Sequence, residues 1–217
     1  MSGRRTYADA CGIARALDVI GERWAILVVR ELLLGPKRFT DLRAGLPRLG
    51  PDILSQRLRE LEQAGVVRRD QLPPPAGARV YELTEWGRQL EPVVLALGRW
   101  GSQAPLPADH GALGVDALML ALKTLYDPAR AGGLIGGTYE IGLAGQPFTV
   151  RPADRQLDVS RGAASNPVAT IGAEPEALQT VLWHGRALSD VLGTGEVTIA
   201  GDRGAAERLL GLFPLAG

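Results

Sequence analysis

Over residues 53–64 the chain reads ILSQRLRELEQA, with Leu54, Leu58 and Leu61 at steps of four and three. That period places the three leucines on one face of an α-helix, the face that packs inward. Ser55, Gln56 and Arg59 fall on the other side. A short strand-like run, VVRRD, follows, and a second, VYEL, returns after Pro73, Pro74, Pro75 and Gly77. The two runs predict a hairpin with a stiff, extended tip.

Upstream, Ile13, Ala14, Leu17 and Ile20 keep helical spacing until Gly21 interrupts them. A second helix is predicted over 22–34, with Trp24, Leu27, Val28 and Leu32 as its buried stripe. Gly35 and Pro36 stop it, a short helix opens at Phe39, and a turn over 46–50 leads to Pro51. At a first helical position the missing amide hydrogen of proline costs nothing. Thr84 is placed to cap a last helix over 85–100, which Pro92 kinks or divides. Four helices, a ribbon and a final helix describe a winged helix-turn-helix with a terminal extension. A small α+β domain without a nucleic-acid role is the alternative.

Over 103–114 the composition shifts to Pro, Ala, Gly and Asp, the signature of a linker, which divides the chain into domains at 1–104 and 114–217. The second domain opens with a helix over 115–126. Strands are predicted over 138–143, 148–151, 156–160, 168–172 and 196–200, and helices over 174–182, 186–192 and 203–212. This is an α+β arrangement: a five-stranded antiparallel sheet with its helices on one face.

Charge separates the halves further. The formal sum is zero, but residues 1–105 hold 16 Lys and Arg against 12 Asp and Glu, and residues 106–217 hold 8 against 12. A polyanion therefore belongs with the first half. No apolar run approaches the roughly 20 residues that span a bilayer, and no cationic start leads into a secretory core, so the cytoplasm is the expected compartment and no membrane partner is expected.

Cys11 is the only cysteine and His110 and His184 stand alone, which excludes an internal disulfide and argues against a metal centre or other cofactor. Gly132-Gly133 and Gly136-Gly137 lack the Lys-Ser/Thr of a phosphate loop and read as turns. With no Ser/His/Asp order either, the chain is not expected to be an enzyme.

The segment CGIARALDVIGERWAILVVRELLLGPKRFTDLRAGLPRLGPDILSQRLRELEQAGVVRR, continued by VYELTEWGRQL, resembles the HxlR family of winged-helix regulators over about ninety residues. The resemblance rests on the cysteine near the start, the step at Gly21 to Trp24 and the element at Arg38 to Leu42. It implies that α-helix 54–64 recognises double-stranded DNA, with Ser55, Gln56 and Arg59 as candidate base-edge readers behind Pro51. The hairpin arginines Arg68, Arg69 and Arg79 would reach the flanking minor groove or backbone, where guanidinium forks suit phosphate. Family members are homodimers. Here that implies an interface of Ile13, Leu17, Leu90, Val94, Leu97 and Trp100, and an inverted-repeat operator with half-sites roughly 34 Å apart.

The resemblance also makes Cys11 a candidate redox or electrophile sensor, with Arg15 one turn away to favour a thiolate. Composition favours the other reading, a buried and inert thiol packed beside Ile13 and Trp24.

The tail ATIGAEPEALQTVLWHGRALSDVLGTGEVTIAGDRGAAERLLGLF looks like the sterol-carrier-protein-2-like fold. That resemblance implies a small hydrophobic ligand in an apolar interior, with Tyr126, Tyr139, Phe148, Trp183, His184 and Phe213 as candidate pocket residues; simple core packing is the alternative. Two functions follow: a homodimeric DNA-binding regulator whose second domain senses a hydrophobic ligand, or a hydrophobic-ligand binding protein whose winged domain serves only dimerisation or protein partners.

Overall fold

The computed structural model describes residues 6–72, 77–105, 111 and 113–214. The predicted tip at Pro73, Pro74 and Pro75, and His110, lie outside the described residues. Contacts divide the chain into two units, Met1–Val94 and Leu95–Gly217.

The first unit opens with α1 (Gly12–Ile20) and α2 (Ala25–Leu32). The second helix starts later than predicted, because Glu22 to Trp24 form a turn closed by Ala25 N–H donating to Glu22 O at 3.0 Å, with Trp24 in the left-handed region at φ 78°. Trp24 and Leu27 are accordingly only half-buried at the edge of the core. Then come α3 (Phe39–Gly45) and α4 (Pro51–Gln63), with proline at the first position of α4 as read. Leu54, Leu58 and Leu61 pack with Val28, Val29, Leu32 and Leu42 in one apolar core.

Strands β1 (Val67–Gln71) and β2 (Arg79–Leu83) form the antiparallel ribbon, with Val67 opposite Leu83. Thr84 caps α5 (Glu85–Arg88), its Oγ1 accepting from Gly87 N–H at 3.0 Å. The single helix predicted over 85–100 is divided. Its second piece is α6 (Glu91–Gly101), where Pro92 occupies the second position and displaces no helical hydrogen bond.

The second unit takes α7 (Val115–Leu125) and a sheet of β3 (Tyr139–Leu143), β4 (Gln146–Pro152), β5 (Leu157–Arg161), β6 (Ala169–Ala173) and β7 (Val197–Gly201). Helices α8 (Pro175–Trp183), α9 (Leu188–Thr194) and α10 (Arg203–Leu210) complete it. Strand order is β5-β4-β3-β6-β7. Tyr139, Ile141, Phe148, Val150 and Ile171 share the buried face, and Glu140, Arg151 and Thr170 alternate away from them.

The purely antiparallel sheet is corrected: β3 and β6 run parallel, so the sheet is mixed. The reason lies between β5 and β6. Instead of reversing in a hairpin, the chain crosses its neighbours. Gly162, at φ 113°, donates to Pro147 O at 2.9 Å, Ala164 N–H donates to Glu140 at 2.8 Å, and Val168 N–H donates to Thr138 O at 2.8 Å. The chain thus passes β4 and β3 and enters β6 beside β3 in the same direction.

Candidate nucleic-acid interface

Helix α4 is fixed from below by its three leucines, each almost fully buried. Above them Pro51, Gln56 and Arg59 are exposed, and Ser55 is half-buried. Gln56 donates to Glu60 at 3.0 Å, one turn on. Arg59 makes no hydrogen bond or ion pair among the described residues, so its five donors face solvent.

The ribbon arginines do not share a face. The register sets Arg69 opposite Tyr81 and Arg79 opposite Gln71 on one side, and Arg68 opposite Glu82 on the other. Arg68 is held by Glu82 at 2.5 Å, and Arg69 lies 3.2 Å from Glu62 with its guanidinium 5.6 Å from the Tyr81 ring centroid. All three are exposed. Exposed ion pairs of this kind are weak, so a phosphate can displace the carboxylate.

Sequence reasoning missed Arg57. It lies on α4 at the flank of the leucine stripe, 8 % exposed, with Nη1 2.7 Å from Glu60 and 3.4 Å from Glu22. These are charge contacts without aligned hydrogen bonds, and Nε meets no acceptor among the described residues. Its position three residues after Leu54 and four before Leu61 was the available signal.

Of the six expected interface residues, Ile13, Leu17, Leu97 and Trp100 are exposed, while Leu90 and Val94 are partly buried against the core of the first unit. Cys11 is exposed as the N-cap of α1, which corrects the burial expected from composition. Its thiol is held below its ordinary range by the nearby backbone N–H groups of Ile13 and Ala14 at the start of α1.

In the second unit the six candidate pocket residues differ in exposure. Tyr126, Tyr139, Phe148 and Phe213 are buried, Trp183 is half-buried with Nε1–H donating to Phe213 O at 3.0 Å, and His184 is exposed. Burial pushes the Tyr126 and Tyr139 hydroxyls up, and Tyr126 donates to Ala153 O at 2.7 Å. A cleft of about 390 Å³ lies at the ends of α8 and α10, walled by Val181, Leu182, Leu188, Leu210 and Phe213 with Arg130 and Arg186 beside them. Phe213 alone of the six lines it.

The model of the HxlR-like helix-turn-helix family matches residues 19–108. The transcriptional regulator YvaP of Bacillus subtilis is 39% identical over 89 residues, covering 41% of this chain and 82% of that protein. The chain belongs to the HxlR-like helix-turn-helix family. The regulator YodB of the same organism is 36% identical over 94 residues, covering 43% of this chain and 84% of YodB. The structure of reduced YodB covers 46% of this chain and all of that one at 34% identity, with a TM-score of 0.40. YvaP and YdeP are both HTH-type transcriptional regulators, and the matches lie in the first half of this chain. Among the described residues no group of metal-binding side chains occurs and no helix is long and apolar enough to cross a membrane.

Proposed function

We propose that the protein is a homodimeric regulator that binds an inverted-repeat operator through α4 and the ribbon. Residues 1–104 form the DNA-binding and dimerisation domain, and residues 114–217 a sterol-carrier-protein-2-like domain that senses a small hydrophobic ligand. The observation that carries the DNA reading is Arg59: a guanidinium with no hydrogen bond or ion pair among the described residues, on the solvent side of a helix held by buried leucines. Preorganised donors at a fixed register are what base-edge and phosphate contacts need.

The dimer is supported by α6, none of whose residues is fully buried and whose Val93, Leu97 and Trp100 are exposed. Ile13 and Leu17 on α1 are exposed in the same way. A second copy covering these side chains gives two recognition helices on one duplex. The cleft at α8 and α10 offers the second domain a place for a ligand whose occupancy is coupled to duplex affinity. Cys11, exposed and with a lowered thiol, gives the first domain a separate point of chemical input.

Fluorescence anisotropy with duplexes selected from a random pool tests the DNA reading. Tight, salt-sensitive binding is expected, with Arg59→Ala costing about 1–3 kcal/mol and lowering the salt slope by about 1 if the contact is to phosphate. Undiminished binding by Arg59→Ala removes α4 from the interface. The alternative, a ligand-binding protein with a winged dimer module, requires a co-purified hydrophobic compound in native mass spectrometry and no duplex binding at low salt.

A further inference from the structure

One buried carboxylate lies where three parts of the winged unit meet. Glu31 sits on α2 between Val29 and Leu32 of the core and is 2 % exposed. Its Oε1 accepts from Arg30 at 2.7 Å, and its Oε2 accepts from Lys37 Nζ at 2.6 Å. A Cβ on Gly45, the last residue of α3, would lie 2.2 Å from that same Oε2, so the end of α3 lies directly against the carboxylate and a larger residue there would have to displace it.

Lys37 extends the contact into the ribbon. Its side chain is 8 % exposed. Its backbone forms an isolated antiparallel bridge with Tyr81 of β2: Lys37 N–H donates to Tyr81 O at 3.0 Å, and Tyr81 N–H donates to Lys37 O at 2.8 Å. The Tyr81 ring in turn carries the Arg69 guanidinium. A continuous path therefore runs from α2 through Glu31, Lys37 and Tyr81 to an arginine of the ribbon.

We infer that Glu31 and Lys37 are positioning residues for duplex binding: their buried ion pair sets the ribbon against the helix-turn-helix and so determines whether Arg69 reaches DNA. This rests on the DNA reading above. A buried pair is a poor source of stability compared with apolar residues of the same volume, but it admits few geometries, which suits a joint that must hold one angle. Lys37 acts without touching DNA, since its ammonium is enclosed by the protein.

The test is a double-mutant cycle on the full chain, with a fluorescein-labelled duplex selected by the wild type. Lys37→Met leaves Glu31 paired with Arg30. Arg69→Ala is expected to weaken binding about 3–10-fold in the wild type and less than about twofold in Lys37→Met, because the arginine is already misplaced there. Equal losses in both backgrounds overturn the inference. Hydrogen exchange gives an independent reading: the Tyr81 amide should exchange faster in Lys37→Met while the amides of α4 keep their protection.

If Lys37→Met fails to fold, Lys37→Gln, which removes the charge but keeps a polar side chain, takes its place in the same cycle. A reduced Arg69→Ala loss in that background supports the joint, and equal losses overturn it. If the wild type binds no duplex, the DNA reading fails by itself, and unchanged Tyr81 exchange in Lys37→Met still removes the joint.

Discussion

The two units divide their large apolar side chains between core and surface differently. The second buries Phe148, Phe213, Tyr139 and Met119 among its own residues and leaves Leu97, Trp100, Ile135 and Val168 exposed. The first builds a closed core under α4 but leaves Ile13, Leu17, Trp86 and Val93 in solvent along α1, α5 and the start of α6. A chain that can bury Leu54 and Leu58 almost completely has no difficulty packing leucine. Apolar side chains left open beside such a core fit the association proposed above.

The sharpest way to break this comparison is to truncate one side chain of each kind. Phe148→Ala empties a fully buried site and should destabilise the second unit by about 3–5 kcal/mol, read by denaturant unfolding. Ile13→Asp should leave unfolding of the isolated chain nearly unchanged and shift the solution species from dimer to monomer by light scattering. A monomeric wild type, or Ile13→Asp remaining dimeric, would show that the open face is not the interface.

Gly87 probes how the first unit turns Trp86 outward. A Cβ there would lie 2.1 Å from Val66 O, so α5 lies directly on the entry to the ribbon. The contact is with backbone and cannot yield as a side chain tip would. Gly87→Ala should cost about 1–3 kcal/mol by thermal or chemical unfolding. Trp86→Ala, whose side chain faces solvent, should cost under about 0.5 kcal/mol.

Much of this was legible because it depends on period and punctuation. Leu54, Leu58 and Leu61 announce a buried stripe, Pro51 and Thr84 mark helix starts, and the alternation of Val67 with Arg68 marks a strand. The parallel strand was not legible. A run such as GAASNP signals that the chain leaves β5, but the direction of its return depends on hydrogen bonds to Pro147 and Thr138, far away in sequence. The candidate site was legible in part for the same reason. Arg59 follows from local period, whereas the pairing of Glu31 with Lys37 across Gly35-Pro36, and the exposure of Cys11, depend on tertiary placement.

The smallest effect concerns charge at the surface of the second unit. Arg186 donates two hydrogen bonds to Glu196, at 2.7 and 2.6 Å, and Thr194 donates a third at 2.7 Å. The Arg186 guanidinium first and the Thr194 hydroxyl second hold the Glu196 carboxyl down at about 2, against an ordinary 4.5. Because the folded value lies below the unfolded one, the contribution is complete above pH 4.5 and disappears as pH falls from 4.5 towards 2. Both groups face solvent, so salt screens the pair and the contribution is small. Glu196→Gln should therefore flatten part of the acid limb of the thermal midpoint between pH 5 and pH 3 while changing the midpoint little at pH 7, and the difference should shrink in about 1 M salt. A variant whose acid limb matches the wild type would mean that Arg186 holds Glu196 no better in the folded chain than solvent does in the unfolded one.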